Sequence, residues 1–329
     1  MTTGRDLNFV FGVLRSREYQ LLGRRELDAL CDNDSIHGIV NQLPEGPFAA
    51  EVRNATNPDG VQNGMRAEVE QLKDLLAQFS SRCPIRPLVL TPWDVFNLKV
   101  AVLSKLREED PDPLFGPEAM VPIRDLLEWS EELTFENLPH DLYDALQEAW
   151  IAYFEEDKST QAFEYALDRQ KDLMLRRYAS DCPADVSAFV GHAAELRAAQ
   201  NLVRCHVSGV GWNLARWTLQ EFPAYDVVAH SYALPVRDWQ MAVFSDGPFK
   251  RVVGAYAAGE PLDQVFVAEK NMLYASMEQW KYRSATIEYI YYFVAQKLTT
   301  LYNLRLVLIG RMNHIPAGVL RERIIDVYV

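Results

Sequence analysis

From Ile287 to Leu308 the chain runs without a single glycine or proline, and Gly310 is the first to follow. Ile287, Tyr291, Val294, Leu298, Leu301, Arg305 and Leu308 recur by alternate fours and threes, a spacing that keeps one face in register along a helix. Ile290, Phe293, Leu304 and Val307 widen the apolar stripe on its flank. A helix apolar over so much of its circumference is covered by other helices on most sides. The spacing thus predicts a central buried helix that Gly310 ends, with Arg305 and Arg311 near the negative end of its dipole.

Burying such a helix takes a large core, and the chain can supply one. It has 329 residues, 49% of them hydrophobic, which suits two or three compact units and excludes global disorder. Its formal charge of −13 repels nucleic acid and anionic lipid, so no nucleic-acid partner is expected and a basic protein surface would suit it better. Cys31, Cys83, Cys182 and Cys205 stand far apart without a CxxC pair, the pattern of reduced thiols in a cytosolic protein. The apolar run from Tyr289 to Ala295 falls short of the roughly 20 residues of a membrane span. No direct membrane span is expected, and membrane association would come through a partner.

Strand-like alternation is nearly absent, with Pro87-Leu88-Val89-Leu90 as a lone short candidate. Phe9 to Leu30 reads as helix, and Asp34 or Ser35 caps a short one leading to Leu43. A loop-rich stretch with Pro44, Gly46, Pro58 and Gly60 precedes a helix carrying Met65, Val69, Leu72, Leu76 and Phe79. Thr91-Pro92-Trp93-Asp94 looks like a helix start. Asp110-Pro111-Asp112-Pro113 to Pro122 reads as a linker. Helices follow near 122–132, 139–157, 159–179 and 185–207, then a less regular stretch over 209–263 and a helix over 265–280.

An Asn-Leu pair recurs at Asn97-Leu98, Asn201-Leu202 and Asn303-Leu304, about 100 residues apart. Each lies on an expected helix with a basic residue close behind, Lys99, Arg204 or Arg305, and Asp168 and Glu269 precede the second and third by similar spans. Asparagine is a poor interior helix residue, so three copies on apolar helices point to side chains that bond a neighbouring helix. The pair also occurs out of register at Asn137 and Asn213, which keeps chance recurrence open.

Chemistry-bearing patterns are missing. His192, Cys205 and His206 could be imagined around a metal, but they lack ligand spacing and ordinary packing explains them better. Gly209-Val210-Gly211 follows no strand and lacks a third glycine, so it is no nucleotide fingerprint. Adjacent acids such as Glu108-Glu109, Glu131-Glu132 and Glu155-Glu156 read as solvated surface. No catalytic residue, cofactor or metal is expected. An active site assembled from distant residues, or an unrelated helical scaffold, stands as the alternative.

Three anchors do resemble a known family. They are Val13-Leu14-Arg15-Ser16-Arg17-Glu18 with Leu21-Leu22; Leu167-Asp168-Arg169 with the Asp94–Leu98 and Gln200–Leu202 pieces; and Asn303 to Arg311, followed by a short Leu320–Ile324 helix. In these the chain is similar, over nearly its full length, to the rotary A-type/V-type ATPase subunit called C in prokaryotes and d in eukaryotes. The acid usual three positions before the asparagine is Asp94 in the first unit but Ala198 and Thr300 in the others. The resemblance implies an all-α fold of three similar helical domains in a funnel with pseudo-threefold symmetry, at about 1–112, 113–212 and 213–329. It further implies a non-catalytic central-stalk adaptor, cytoplasmic and peripheral at the inner membrane face, whose partners are central-stalk shaft subunits and the membrane proteolipid ring. Asp94, Asn97, Leu98, Asn201, Leu202, Asn303, Leu304 and Arg305 would be its repeated structural motif.

Overall fold

The computed structural model describes residues 4–54, 56–78, 84–132, 138–239 and 246–328, so Phe79, Cys83 and Asn137 lie outside the described residues. In chain order the helices are α1 (Gly4–Arg15), α2 (Arg24–Asp32), α3 (Ile36–Gln42), α4 (Pro47–Asn54), α5 (Pro58–Ala77), α6 (Ile85–Arg107), α7 (Ile123–Glu132) and α8 (His140–Glu155). They continue as α9 (Thr160–Ser180), α10 (Ala184–Val207), α11 (Trp212–Ala215), α12 (Tyr225–Ser231), α13 (Pro248–Ala257), α14 (Leu262–Ala275), α15 (Ile287–Met312) and α16 (Ala317–Arg321). Short 3-10 turns join several of them, and the described residues contain no strand. The class is all-α.

The long helix α15 is the spine. Thr286 caps its start, its hydroxyl accepting from the Tyr289 N–H at 3.3 Å. Tyr289, Ile290, Tyr292, Phe293, Val294, Leu301, Leu304, Val307 and Leu308 are all buried. It packs on α1, α2, α3, α5, α6, α10 and α16. Buried apolar side chains form two clusters. One joins the N-terminal helices to α10 and α13–α15; the other gathers the second half of α6 with α7, α8 and α9. Helix α6 belongs to both, Ile85–Leu90 to the first and Val95–Leu103 to the second.

Several boundaries differ from the sequence reading, each for a local reason. Gly310 does not end α15, which continues to Met312. It lies where α16 crosses, and a Cβ there would meet Leu320 Cδ2 at 2.4 Å. The expected first helix is broken between Arg15 and Arg24, where a 3-10 turn at Glu18–Gln20 leads to Gly23, the N-cap of α2 in extended backbone. Ser35 does cap α3, accepting from the Gly38 N–H. Pro87-Leu88-Val89-Leu90 is helical, and Pro92 sits inside α6 rather than at a start. The 47–54 stretch read as loop is α4, and α13 lies within the stretch read as irregular. The short C-terminal helix ends at Arg321, and a turn and then irregular chain follow it. Glu155 and Glu156 are not free surface acids; both hold Arg216, at 3.0 Å each.

Gly64 shows how closely α4 and α5 approach. A Cβ there would meet Phe48 Cδ2 at 2.9 Å and the Phe48 backbone oxygen at 3.0 Å. Because one obstacle is backbone, the contact cannot be relieved by a rotamer change. Gly64→Val is therefore expected to cost about 1–3 kcal/mol, the usual range for overpacking, read as a lower denaturant midpoint at unchanged slope.

Candidate functional site

The asparagines singled out in the sequence fall into two kinds of place. Asn97 on α6 is fully buried and clamps a strap that follows its own helix: its Nδ2 donates to the Pro117 carbonyl at 2.9 Å and its Oδ1 accepts from the Gly116 N–H at 2.9 Å. Asn303 on α15 does the same to the C-terminal strap, with Nδ2 donating to the Ile325 carbonyl at 2.7 Å and Oδ1 accepting from the Ile325 N–H at 3.0 Å. The partners are thus irregular backbone and not a neighbouring helix. The stretch read as a linker is, over 115–121, laid along α6, with Phe115, Ala119 and Val121 buried. Leu98, Leu202 and Leu304 are buried beside their asparagines.

Asp94 extends the first clamp by one turn. Its Oδ1 accepts from the N–H groups of Met120 and Val121 at 3.0 and 2.9 Å, while its buried Oδ2 has no hydrogen-bond partner among the described residues. Burial pushes its pKa up to about 6, against the downward pull of those two N–H bonds. The sign follows from linkage. An unfolded aspartate titrates near 3.9, so this contribution to stability is complete below that value and is lost as pH rises through about 6. Asp94→Asn, which keeps the accepting oxygen, is expected to gain up to about 3 kcal/mol relative to the unsubstituted chain between pH 4 and 7.5. Urea unfolding of both chains across that range checks it.

Asn201 is the exception. It is half-buried, its amide makes no hydrogen bond to another described residue, and it lines a cavity of about 640 Å³ in the middle of the molecule. Five helices build the wall: α6, α9, α10, α14 and α15, with Met65 added from α5. On α10 the lining residues Phe189, Ala193, Arg197, Asn201 and Arg204 step by fours and a three, so one whole helical face looks inward.

The two ends of this cavity differ chemically. Toward the N-terminal ends of α10 and α15 it is aromatic and apolar: Phe189 packs its ring 5.7 Å from Tyr274 and 5.8 Å from Tyr291, beside Leu175 and Val190. Toward the other end stand Asp168, Lys171, Asn201, Arg204, Lys270, Tyr302 and Arg305. Arg204, Tyr302 and Arg305 are exposed, so this charged end opens to solvent.

The acids here are neutralised in place. Asp168 holds Lys99 at 2.8 Å and Lys171 at 3.1 Å; burial opposes its ionisation, but the two ammonium groups together keep its pKa below the ordinary value. Asp172 holds Arg197 at 2.8 Å. Glu269, noted in the sequence with Asp168, instead grips Arg251 at 2.8 Å. Lys270 lies over the Tyr302 ring at 5.6 Å, and burial, with repulsion from Arg197 and Arg204, lowers its pKa.

His192, Cys205 and His206 do not converge. Cys205 is buried and His192 exposed, while His206 is ringed by Tyr232, Trp239 and Tyr256 and bonds the Tyr256 hydroxyl at 3.0 Å. Among the described residues no group of three His, Cys, Asp or Glu side chains is placed to hold a metal ion. No helix formed by the described residues is long and apolar enough to cross a membrane. The cavity itself was not legible in the sequence, because its wall is assembled from helix faces far apart in the chain. The basic residues behind Asn201 and Asn303 were the signal that pointed toward it.

Comparison with curated proteins finds no match. The family model for the ATP synthase (C/AC39) subunit, by contrast, matches residues 10–323. That span takes in the spine helix, the 115–121 strap and every wall of the cavity, and stops just short of the C-terminal strap. The chain belongs to the ATP synthase (C/AC39) subunit family, the C/d-type subunits of the rotary A/V-type ATPases.

Proposed function

We propose that this chain is the non-catalytic adaptor of the central stalk, receiving the tip of the shaft in its cavity and seating on the polar loops of the membrane proteolipid ring. The cavity carries the reading: its apolar end, solvent-facing charged end and wall of packed helices suit a socket for a protein segment. Socket walls must not yield under torque, and close-packed interiors yield little. The three-domain division at about 1–112, 113–212 and 213–329 is part of the same proposal. The first unit sends α6 to the cavity wall, the second α9 and α10, and the third α14 and α15; the asparagines of α6 and α15 clamp a following strap with the same amide. A peripheral position at the inner, cytoplasmic membrane face follows if the ring is the second partner.

The test is coupling. Vesicles carrying the complex stripped of this chain should hydrolyse ATP yet fail to pump ions, and adding the purified chain should restore pumping. Pumping that persists without it, or ATP hydrolysis by the isolated chain, would reject the adaptor role.

A further inference from the structure

Resting on the shaft-socket reading, we infer that the socket is keyed by charge. Arg204, Lys270 and Arg305 form a one-sided cationic contact for carboxylates carried on one side of the shaft tip.

The observation is an asymmetry of pairing around the cavity. On the wall made by α6 and α9, the charges cancel: Asp168 takes Lys99 and Lys171, and Asp172 takes Arg197 from α10. On the opposite wall, Arg204 of α10, Lys270 of α14 and Arg305 of α15 have no carboxylate within 4.0 Å among the described residues. Arg204 lies over Phe266 and Lys270 over Tyr302, so among the described residues it is rings and not carboxylates that attract them. Lys270 is the telling member, half-buried between helices and facing two guanidinium groups. Elsewhere in the interior a cation is given its acid, as Lys297 is given Glu68 and Arg169 is given Glu148. A desolvated cation left among cations is costly until an anion arrives.

The unpaired charges also run against the chain as a whole, which is −13. An acidic segment is repelled by the net charge of the chain and attracted by the three cations at the open end of the cavity, so the local field favours entry there. Asn201 stands between Arg204 and Arg197 on the same helical face, its amide free to complete the contact. The other side of the tip meets Met65, Leu88, Val89 and Trp93, an apolar surface. An occupant fitting both walls has carboxylates on one side and apolar side chains on the other, and it can sit in one rotational setting. A socket of three similar faces offers three equivalent settings; charge on one side selects a single one and resists slipping under torque.

The test uses the full chain and the central shaft subunits purified from the same organism's ATPase, with the dissociation constant measured at 50 and 500 mM salt as chosen conditions. The account expects salt to weaken binding about tenfold, and Arg204→Glu/Lys270→Glu/Arg305→Glu to weaken it about 100-fold at low salt. Lys270→Gln alone, a gentler change should the triple variant fold poorly, should weaken it several-fold. Ala193→Trp fills the cavity from the α10 wall and should abolish binding at any salt. If Ala193→Trp abolishes binding but neither charge variant changes it, the socket stands and the key is wrong. If the unsubstituted chain binds no shaft, the socket reading fails and takes the key with it. Tripolyphosphate serves as a small-anion probe: binding that the triple variant loses, with shaft affinity unchanged, would reassign the three cations to a soluble polyanion and overturn the proposal.

Discussion

Replacing Lys297 with methionine is expected to destabilise the protein by about 3–5 kcal/mol, the cost of leaving a buried charge without its partner. Lys297 of α15 and Glu68 of α5 are both almost wholly buried and sit 2.9 Å apart. The ammonium also donates to Gln20 Oε1 at 3.1 Å, and Glu68 Oε2 accepts from the Phe48 N–H at 3.2 Å. The pair therefore ties the spine to α4, α5 and the turn after α1 at a single point. Burial lowers the pKa of Lys297 while Glu68 pulls it back up. Methionine fills the space but strands Glu68 among apolar neighbours. The double variant Lys297→Met/Glu68→Gln removes both charges and keeps an oxygen for the Phe48 N–H, so it should recover more than half the loss. Chemical denaturation of the unsubstituted chain and the two variants measures this. Equal destabilisation of single and double variants would show that packing, not charge pairing, dominates here.

The second large effect is expected at Asn303. Asn303→Leu preserves volume but leaves the N–H and carbonyl of Ile325 unpartnered in a buried place, at about 1–3 kcal/mol for each group. The same strap is held by Asn271 Oδ1 on the Asp326 N–H at 2.9 Å, by Gln296 Oε1 on the Tyr328 N–H at 3.2 Å, and by the Tyr292 hydroxyl on the Tyr328 carbonyl. The loss should therefore appear first as faster amide exchange over residues 324–328, before global unfolding. Asn97→Leu should act likewise on 115–121. Asn201→Leu should change stability by less than about 0.5 kcal/mol, since its amide holds no strap. Similar losses at all three positions would mean that the clamp hydrogen bonds are not what the asparagines contribute to stability.

That contrast marks where the sequence was readable. The period of α15, the cap at Ser35, and the long faces of α5, α9 and α10 are local signals, and local physics decides them, whereas Pro58 and Gly60, read as loop, form the first turn of α5. Pro92 misled because a proline forfeits one backbone bond and does not forbid a helix that packing holds on both sides. Gly310 misled because a glycine serves close approach as well as helix ends, and only the position of Leu320 tells which. The recurrent asparagine pointed to buried amides at Asn97 and Asn303, but the distant straps they hold could not be seen. Nor could the pairing of Asp168 with Lys99, which lie on different helices and decide which wall of the cavity is neutral.

Net charge is a coarser guide. An overall −13 suggested a basic partner, while Arg204, Lys270 and Arg305, without a carboxylate partner among the described residues, stand together at one end of the cavity. A sum over the surface says little about a concave site, where a few side chains set the local field.

The most direct measurement places a single cysteine at position 193, deep on the α10 wall, in a chain whose other cysteines are replaced, and cross-links it within the assembled rotor. The account predicts that the product is the shaft subunit, formed in the intact complex and lost when the shaft is omitted. A cross-link to any other subunit, or none in a complex that pumps normally, would contradict it.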